Sequence, residues 1–191
     1  MAHPASQEGD SAIIVDLSEA AMHMYTAAIE ALPFQEDKKF HTRAEVVLSG
    51  MRKLRSALTD AASTSRPSSA VIVELSNVRS RYDKLVEHAA AAPGSSLGQQ
   101  IYATRMQAKL TAREVENGAG LRIGLLDELE AGAIPTDDEA AKIKDTITAL
   151  GGVPGTEHLQ PYQPEPAPTS EPDESHVNGW DDQLVGENAA T

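Results

Sequence analysis

Three stretches of this sequence hold residue types that could do chemistry. Met22-His23-Met24 offers two thioethers and an imidazole, donors that suit a soft metal ion. Successive helix positions point in different directions, however, so two methionines packed in an apolar stripe is the simpler reading. Asp137-Asp138-Glu139 offers three carboxylates. It falls behind Pro135 and Thr136, in what should be the first turn of a helix, where acids offset the macrodipole. Lys38, Lys39, Arg43, Arg52, Lys53 and Arg55 make the densest positive region, either an auxiliary phosphate-binding surface or a solvated helix face balanced by acids elsewhere. The six histidines are scattered, and no H-E-x-x-H, P-loop, dinucleotide fingerprint or G-x-S-x-G occurs. The expectation is no catalytic residue, no metal and no cofactor, hence not an enzyme.

Composition narrows the class. Aromatic residues are 4% and alanine is plentiful, which favours packed helices over sheets. There is no cysteine, so thiolate chemistry and disulfides are excluded, in keeping with a reducing cytoplasm. The start, MAHPASQEGD, lacks the basic and apolar regions of a signal peptide. No apolar run approaches the ~20 residues that cross a bilayer, so no membrane partner is expected. The net charge of −13 opposes binding to nucleic acid, yet residues 152–191 hold eight acids and no Lys or Arg. The remainder is therefore only mildly acidic.

Periodicity and punctuation place the elements. Residues 1–10 should be disordered. Residues 11–92 read as three helices in an antiparallel bundle. The first puts Ile14, Leu17, Ala21, Met24, Ala28 and Leu32 on one face and stops at Pro33. The second opens on the capping box Thr42 to Glu45 and carries Val47, Met51, Leu54, Leu58 and Ala61. The third follows Pro67, capped by Ser68 or Ser69, with Ile72, Leu75, Tyr82, Leu85 and Ala89 inward. A self-contained bundle and a dimerising one fit equally well. Residues 95–152 form a second unit: a helix from Leu97 to Lys109 with Leu97, Ile101 and Met106 inward, a short one opened by the box Thr111 to Glu114, and a turn at Gly120. A helix from Arg122 to Ala131 follows, then one opened by Thr136 to Glu139 that buries Ala140, Ile143, Ile147 and Leu150. Residues 153–191 are rich in proline and acid and should be disordered. Within them Trp180, beside Asp181 and Asp182 and ahead of Leu184 and Val185, is either a partner-docking motif or inert.

Residues 97–151 resemble the lambda-repressor-like (xenobiotic-response-element) helix-turn-helix family. Leu97-Gly98 and Ile101 match its first helix, Leu110-Thr111 with Glu114-Val115 its second, Ala119-Gly120-Leu121 its turn, and Leu126, Leu129, Glu130 and Gly132 the end of its recognition helix. The resemblance implies an ion pair between Arg105 and Glu130. It implies contact with DNA by Arg113, Arg122, Ile123, Gly124, Leu125, Asp127 and Glu128. That face is degenerate: Ala112 stands where the family holds a phosphate-binding Gln, Glu116 where it holds a small residue, and Asp127 and Glu128 would repel phosphate.

The fold expected is all-α: a helical bundle, a helix-turn-helix domain and an acidic tail. Two functions remain open. One is a DNA-associated transcriptional regulator with weak base readout, binding double-stranded DNA as a homodimer through its N-terminal helices. The other is a non-catalytic adaptor whose helix-turn-helix frame docks a protein through an apolar and acidic face. Fold alone does not choose between them.

Overall fold

A computed structural model describes residues 4–63 and 68–156, with side-chain environments from residue 12 onward. Among the described residues every regular element is a helix. The chain is all-α. In order they are α1 (Pro4–Glu30), α2 (Phe40–Ala62), α3 (Ser69–Ala90), α4 (Leu97–Gln107), α5 (Ala112–Gly118), α6 (Leu125–Glu130) and α7 (Asp137–Ala149). Trp180, Leu184, Val185 and the rest of 157–191 lie outside the described residues, as does Pro67.

The first three helices pack on one another around Met22, Phe40, Leu48, Met51, Leu58, Val78, Tyr82 and Leu85. Helix α1 begins at Pro4, ahead of the expected start at residue 11. Of its expected stripe, Ile14, Ala28 and Leu32 pack on this core, but the most buried positions are others. Ser18 and Met22 are buried and Tyr25 and Ile29 pack beside them, whereas Leu17 and Met24 are 66% and 73% exposed. The reason is that α1 is apolar around most of its circumference, so periodicity alone could not say which face turns inward. The Tyr25 ring lies over α2 at Gly50, where a Cβ would come within 2.5 Å of its hydroxyl oxygen.

Helix α2 does not open on the Thr42–Glu45 box. Phe40, fully buried, pulls the helix start upstream. The Asp37 carboxylate accepts the Lys39 N–H at 2.7 Å, and Glu45 turns instead to Arg52. In α3, Ile72 is exposed, while Leu75, Tyr82, Leu85 and Ala89 are buried as their spacing suggests.

Helices α4 to α7 enclose a second cluster of Ile101, Val115, Leu121, Leu125, Leu126, Leu129, Ile143 and Ile147. The boxes expected at Thr111 and Thr136 form and a third is found at Ser96, each hydroxyl accepting the backbone N–H three residues on. Met106 is exposed, because α4 stops at Gln107 and Lys109 takes a left-handed φ of 58°. Val153 packs on this cluster and Pro154 is buried, so order persists past the boundary expected at residue 153. Both clusters belong to one compact unit.

Two contacts fix α6. Gly98 lets α4 approach its backbone so closely that a Cβ there would lie 2.5 Å from the Leu129 carbonyl oxygen. Glu116, only 2% exposed, accepts the Leu126 N–H at 3.0 Å. The acid that looks out of place in α5 is the N-terminal cap of α6, satisfying an amide that the helix cannot.

Both contacts can be measured by urea denaturation. Gly98→Ala should lower the midpoint, since the clash costs about 1–3 kcal/mol and outweighs the ~1 kcal/mol gain in helix propensity. Glu116→Ala should cost about 1–3 kcal/mol by orphaning the Leu126 N–H, with Glu116→Gln retaining an acceptor and losing less.

Candidate interaction face

The residues expected to meet a partner sit on α5, the following turn and α6, and the structure divides them. Leu125 is fully buried as the first residue of α6, and so is not on an outer face. Gly124, with φ of +86°, is the residue before the helix rather than a position within it. The helix expected over 122–131 is thus shortened to six residues, because Leu121 and Leu125 both turn into the core and the chain between them must bend. Ile123 remains outside, 68% exposed, with Asp127, Glu128 and Arg113 also exposed. Beyond α6, Ile134 is 93% exposed.

Arg122 is engaged from within the chain. Its two terminal nitrogens donate to both oxygens of Glu128 at 2.8 and 2.5 Å, and its Nε donates to Glu139 at 2.9 Å. Bidentate pairing of this kind fixes the guanidinium plane. These hydrogen bonds, to Glu128 first and then Glu139, raise the arginine above its ordinary value. The same group therefore links the turn to α6 and α7 instead of facing outward alone. Glu139 also accepts the Thr136 N–H at 2.9 Å, so one carboxylate serves the cap and the ion pair together.

The expected Arg105–Glu130 pair is absent. Glu130 instead accepts from Arg55 of α2 at 2.5 Å. Arg105 lies 4.4 Å from the Tyr102 ring centroid and donates to the Leu110 carbonyl at 3.4 Å. The cause is the bundle, which packs against α4 and brings a competing arginine to the end of α6. Arg55 also lies 4.5 Å from the Tyr82 ring centroid. Burial opposes its charge, but Glu130 outweighs burial and raises its pKa. The basic region thus separates: Arg52 and Arg55 pair with Glu45 and Glu130, whereas Lys38, Lys39, Arg43 and Lys53 are exposed.

A feature with no sequence signal lies between α1 and α3, a groove of about 680 Å³ lined by Met22, Thr26, Arg81, Lys84, Leu85 and His88 among others. At its base Ser18 donates to buried Glu74 at 2.9 Å, and Arg81 donates to the Thr26 hydroxyl at 2.6 Å. Among the described residues no group of three His, Asp or Glu side chains could hold a metal ion. Met22 is buried and Met24 exposed, so Met22-His23-Met24 does not converge.

Glu114, Glu128 and Glu139 all have pKa values below their ordinary 4.5, lowered first by the Thr111 backbone N–H, the Arg122 guanidinium and the Thr136 backbone N–H respectively. A depressed folded value means that the stabilisation is complete above the unfolded value and is lost as pH falls through the folded one. Acidifying from neutral to below about 4 should therefore lower the thermal midpoint, and Arg122→Ala should weaken that acid dependence.

The MSMEG_6518_N family, an N-terminal domain, matches residues 25–96, from the last turns of α1 through α2 and α3 to the residue before α4. No helix of the described residues is long and apolar enough to cross a membrane. No solved structure matches the chain. A protein of Mycolicibacterium smegmatis, named only as uncharacterized, is 54% identical over 129 residues, 68% of this chain and 100% of that protein. At that identity over the relative's whole length, the chain belongs to the family of the Mycolicibacterium smegmatis protein, with the MSMEG_6518_N domain at residues 25–96.

Proposed function

We propose that this chain is a non-catalytic, homodimeric protein-interaction module whose α5–α7 end docks a protein partner. The observation that carries the reading is the state of Arg122. On the face where the helix-turn-helix resemblance would have DNA bound, this cation is already held by Glu128 and Glu139. Around it stand exposed Asp127, Glu128 and Ile123, with Ile134 after α6. Phosphate attraction dominates DNA binding, and a face with Arg122 neutralised and two exposed acids supplies little of it. The same face suits an apolar partner surface edged by basic residues, since complementary charge favours encounter and exposed isoleucines supply the area to be buried.

A second reading, a DNA-associated regulator, draws on one observation. Lys38, Lys39, Arg43 and Lys53 are exposed and in none of the ion pairs of the described residues. On this reading the bundle, not α6, would meet the phosphates.

The two readings separate in fluorescence anisotropy of the full chain with random duplex DNA at low salt. The interaction module should show no binding. Pull-downs from cells of the source organism should retain a partner that Ile123→Asp loses and Arg43→Glu keeps. Steeply salt-dependent binding that Arg43→Glu or Lys53→Glu weakens would overturn the module in favour of DNA.

A further inference from the structure

The groove between α1 and α3 lies on the bundle, and among the described residues none from α5 to α7 lines it. Ser18 meets Glu74 and Thr26 meets Arg81, so the two helices run in the same direction. Acids and bases are therefore sorted along the groove. Glu19 and Glu74 stand at its N-terminal end, and Arg81, Lys84 and His88 at the other. Glu74 precedes Arg81, and Glu19 precedes Thr26, by two helical turns, about 10 Å along the axis. That is about one Debye length, so the acids barely offset the bases. Ser18 and Asn77 also donate to Glu74, at 2.9 and 3.3 Å, so neutral groups engage that carboxylate.

Arg81, Lys84 and His88 recur at steps of three and four and share one face of α3. Among the described residues no carboxylate is in an ion pair with them. One turn earlier, where an acid would support Arg81 and Lys84, the chain holds Asn77 and Ser80. Two neighbouring cations repel, and a bound anion removes that repulsion. The Thr26 hydroxyl donates to the Met22 carbonyl at 2.8 Å and accepts from Arg81 at 2.6 Å, which positions the guanidinium. Gln35 Nε2 donates to the His88 carbonyl at 2.7 Å and meets the His88 Nδ1 at 3.2 Å. Nδ1 must then accept, which leaves the proton of the neutral ring on Nε2.

This end of the groove thus offers a guanidinium fork, an ammonium, an imidazole N–H and the Ser80 hydroxyl, all donors. A phosphate group presents three acceptor oxygens to such a set, whereas a carboxylate presents two. Its charge of about −1.5 to −2 at neutral pH matches the two permanent cations. Met22, Ile29 and Leu85 line the same groove and supply an apolar strip. Its volume of about 680 Å³ suits a small molecule.

We infer that the α1–α3 groove binds a small, soluble phosphomonoester. Arg81, Lys84 and His88 hold its phosphate, and its apolar body lies on Met22, Ile29 and Leu85. The site goes beyond the α5–α7 reading and does not rest on it.

NMR titration of the full chain with phenyl phosphate should give saturable shifts at about millimolar concentration, concentrated in the amides of residues 22–29 and 80–88. Inorganic phosphate, which has no body for the apolar strip, should move the same amides more weakly. Benzoate should also bind more weakly, having two oxygens. Arg81→Gln and Lys84→Gln should each weaken phenyl phosphate about tenfold. Helicity should be unchanged, since both side chains are exposed. Arg81→Lys should recover part of the loss, and Lys53→Gln should change nothing. No saturable shift, or shifts spread equally to Lys38, Lys39 and Lys53, would overturn the site. So would binding that survives Arg81→Gln combined with Lys84→Gln. Benzoate binding as tightly as phenyl phosphate would overturn the choice of phosphate. Binding to vesicles containing phosphatidic acid, with none to phenyl phosphate, would overturn the soluble ligand.

Discussion

The packing of the second helical cluster on the first turns on one half-buried cation. Arg55 of α2 reaches Glu130 at the end of α6 while its guanidinium covers the Tyr82 ring. Tyr82 in turn meets Tyr102 of α4 edge to face, with ring centroids 5.6 Å apart. Burial pushes both phenols well above the usual tyrosine value, and the Tyr102 hydroxyl donates to Asp83 at 2.6 Å. A desolvated arginine is tolerated only where a carboxylate and an aromatic face replace water. Helices α2, α3, α4 and α6 all contribute a member, so the placement of α4 and α6 is settled by this group rather than by apolar contact alone.

The sequence was most legible where structure is local. The boxes at Thr111 and Thr136 form because hydroxyl, amide and acceptor lie within four residues of one another. Thr42–Glu45 has the same pattern and fails, because burying Phe40 begins the helix earlier and Arg52 claims the carboxylate. The buried stripes of α2 and α3 were largely readable, whereas that of α1 was readable only at Ile14, Ala28 and Leu32, since two apolar faces satisfy the same period. Within the candidate face, Leu126, Leu129 and the exposure of Ile123, Asp127 and Glu128 followed from spacing. The burial of Leu125 and the partners of Glu116, Arg122 and Glu130 did not. Each depends on a residue at least six positions away, or on a bend that glycine spacing only suggests.

The acids of the second cluster change meaning once their partners are known. Glu116, Glu130 and Glu139 are each committed within the fold, to an amide, an arginine and a cap. What remains for solvent or a partner is a smaller set, chiefly Asp127, Arg113 and the exposed isoleucines. The family match adds a boundary of its own. It starts at Tyr25, the residue seated on Gly50, and stops at Ser96, the cap of α4. The matched domain is therefore the packed bundle without most of α1.

The approach at Gly98 has a mechanical consequence. With no side chain interposed between α4 and the Leu129 carbonyl, these two helices touch backbone to backbone. Side-chain rotamers cannot absorb a displacement there, so α6 cannot shift alone; it carries α4 with it. Helix α4 bears Tyr102, seated on Tyr82 of α3. A displacement of α6 is thus passed through α4 to the bundle, and the glycine is the point of contact.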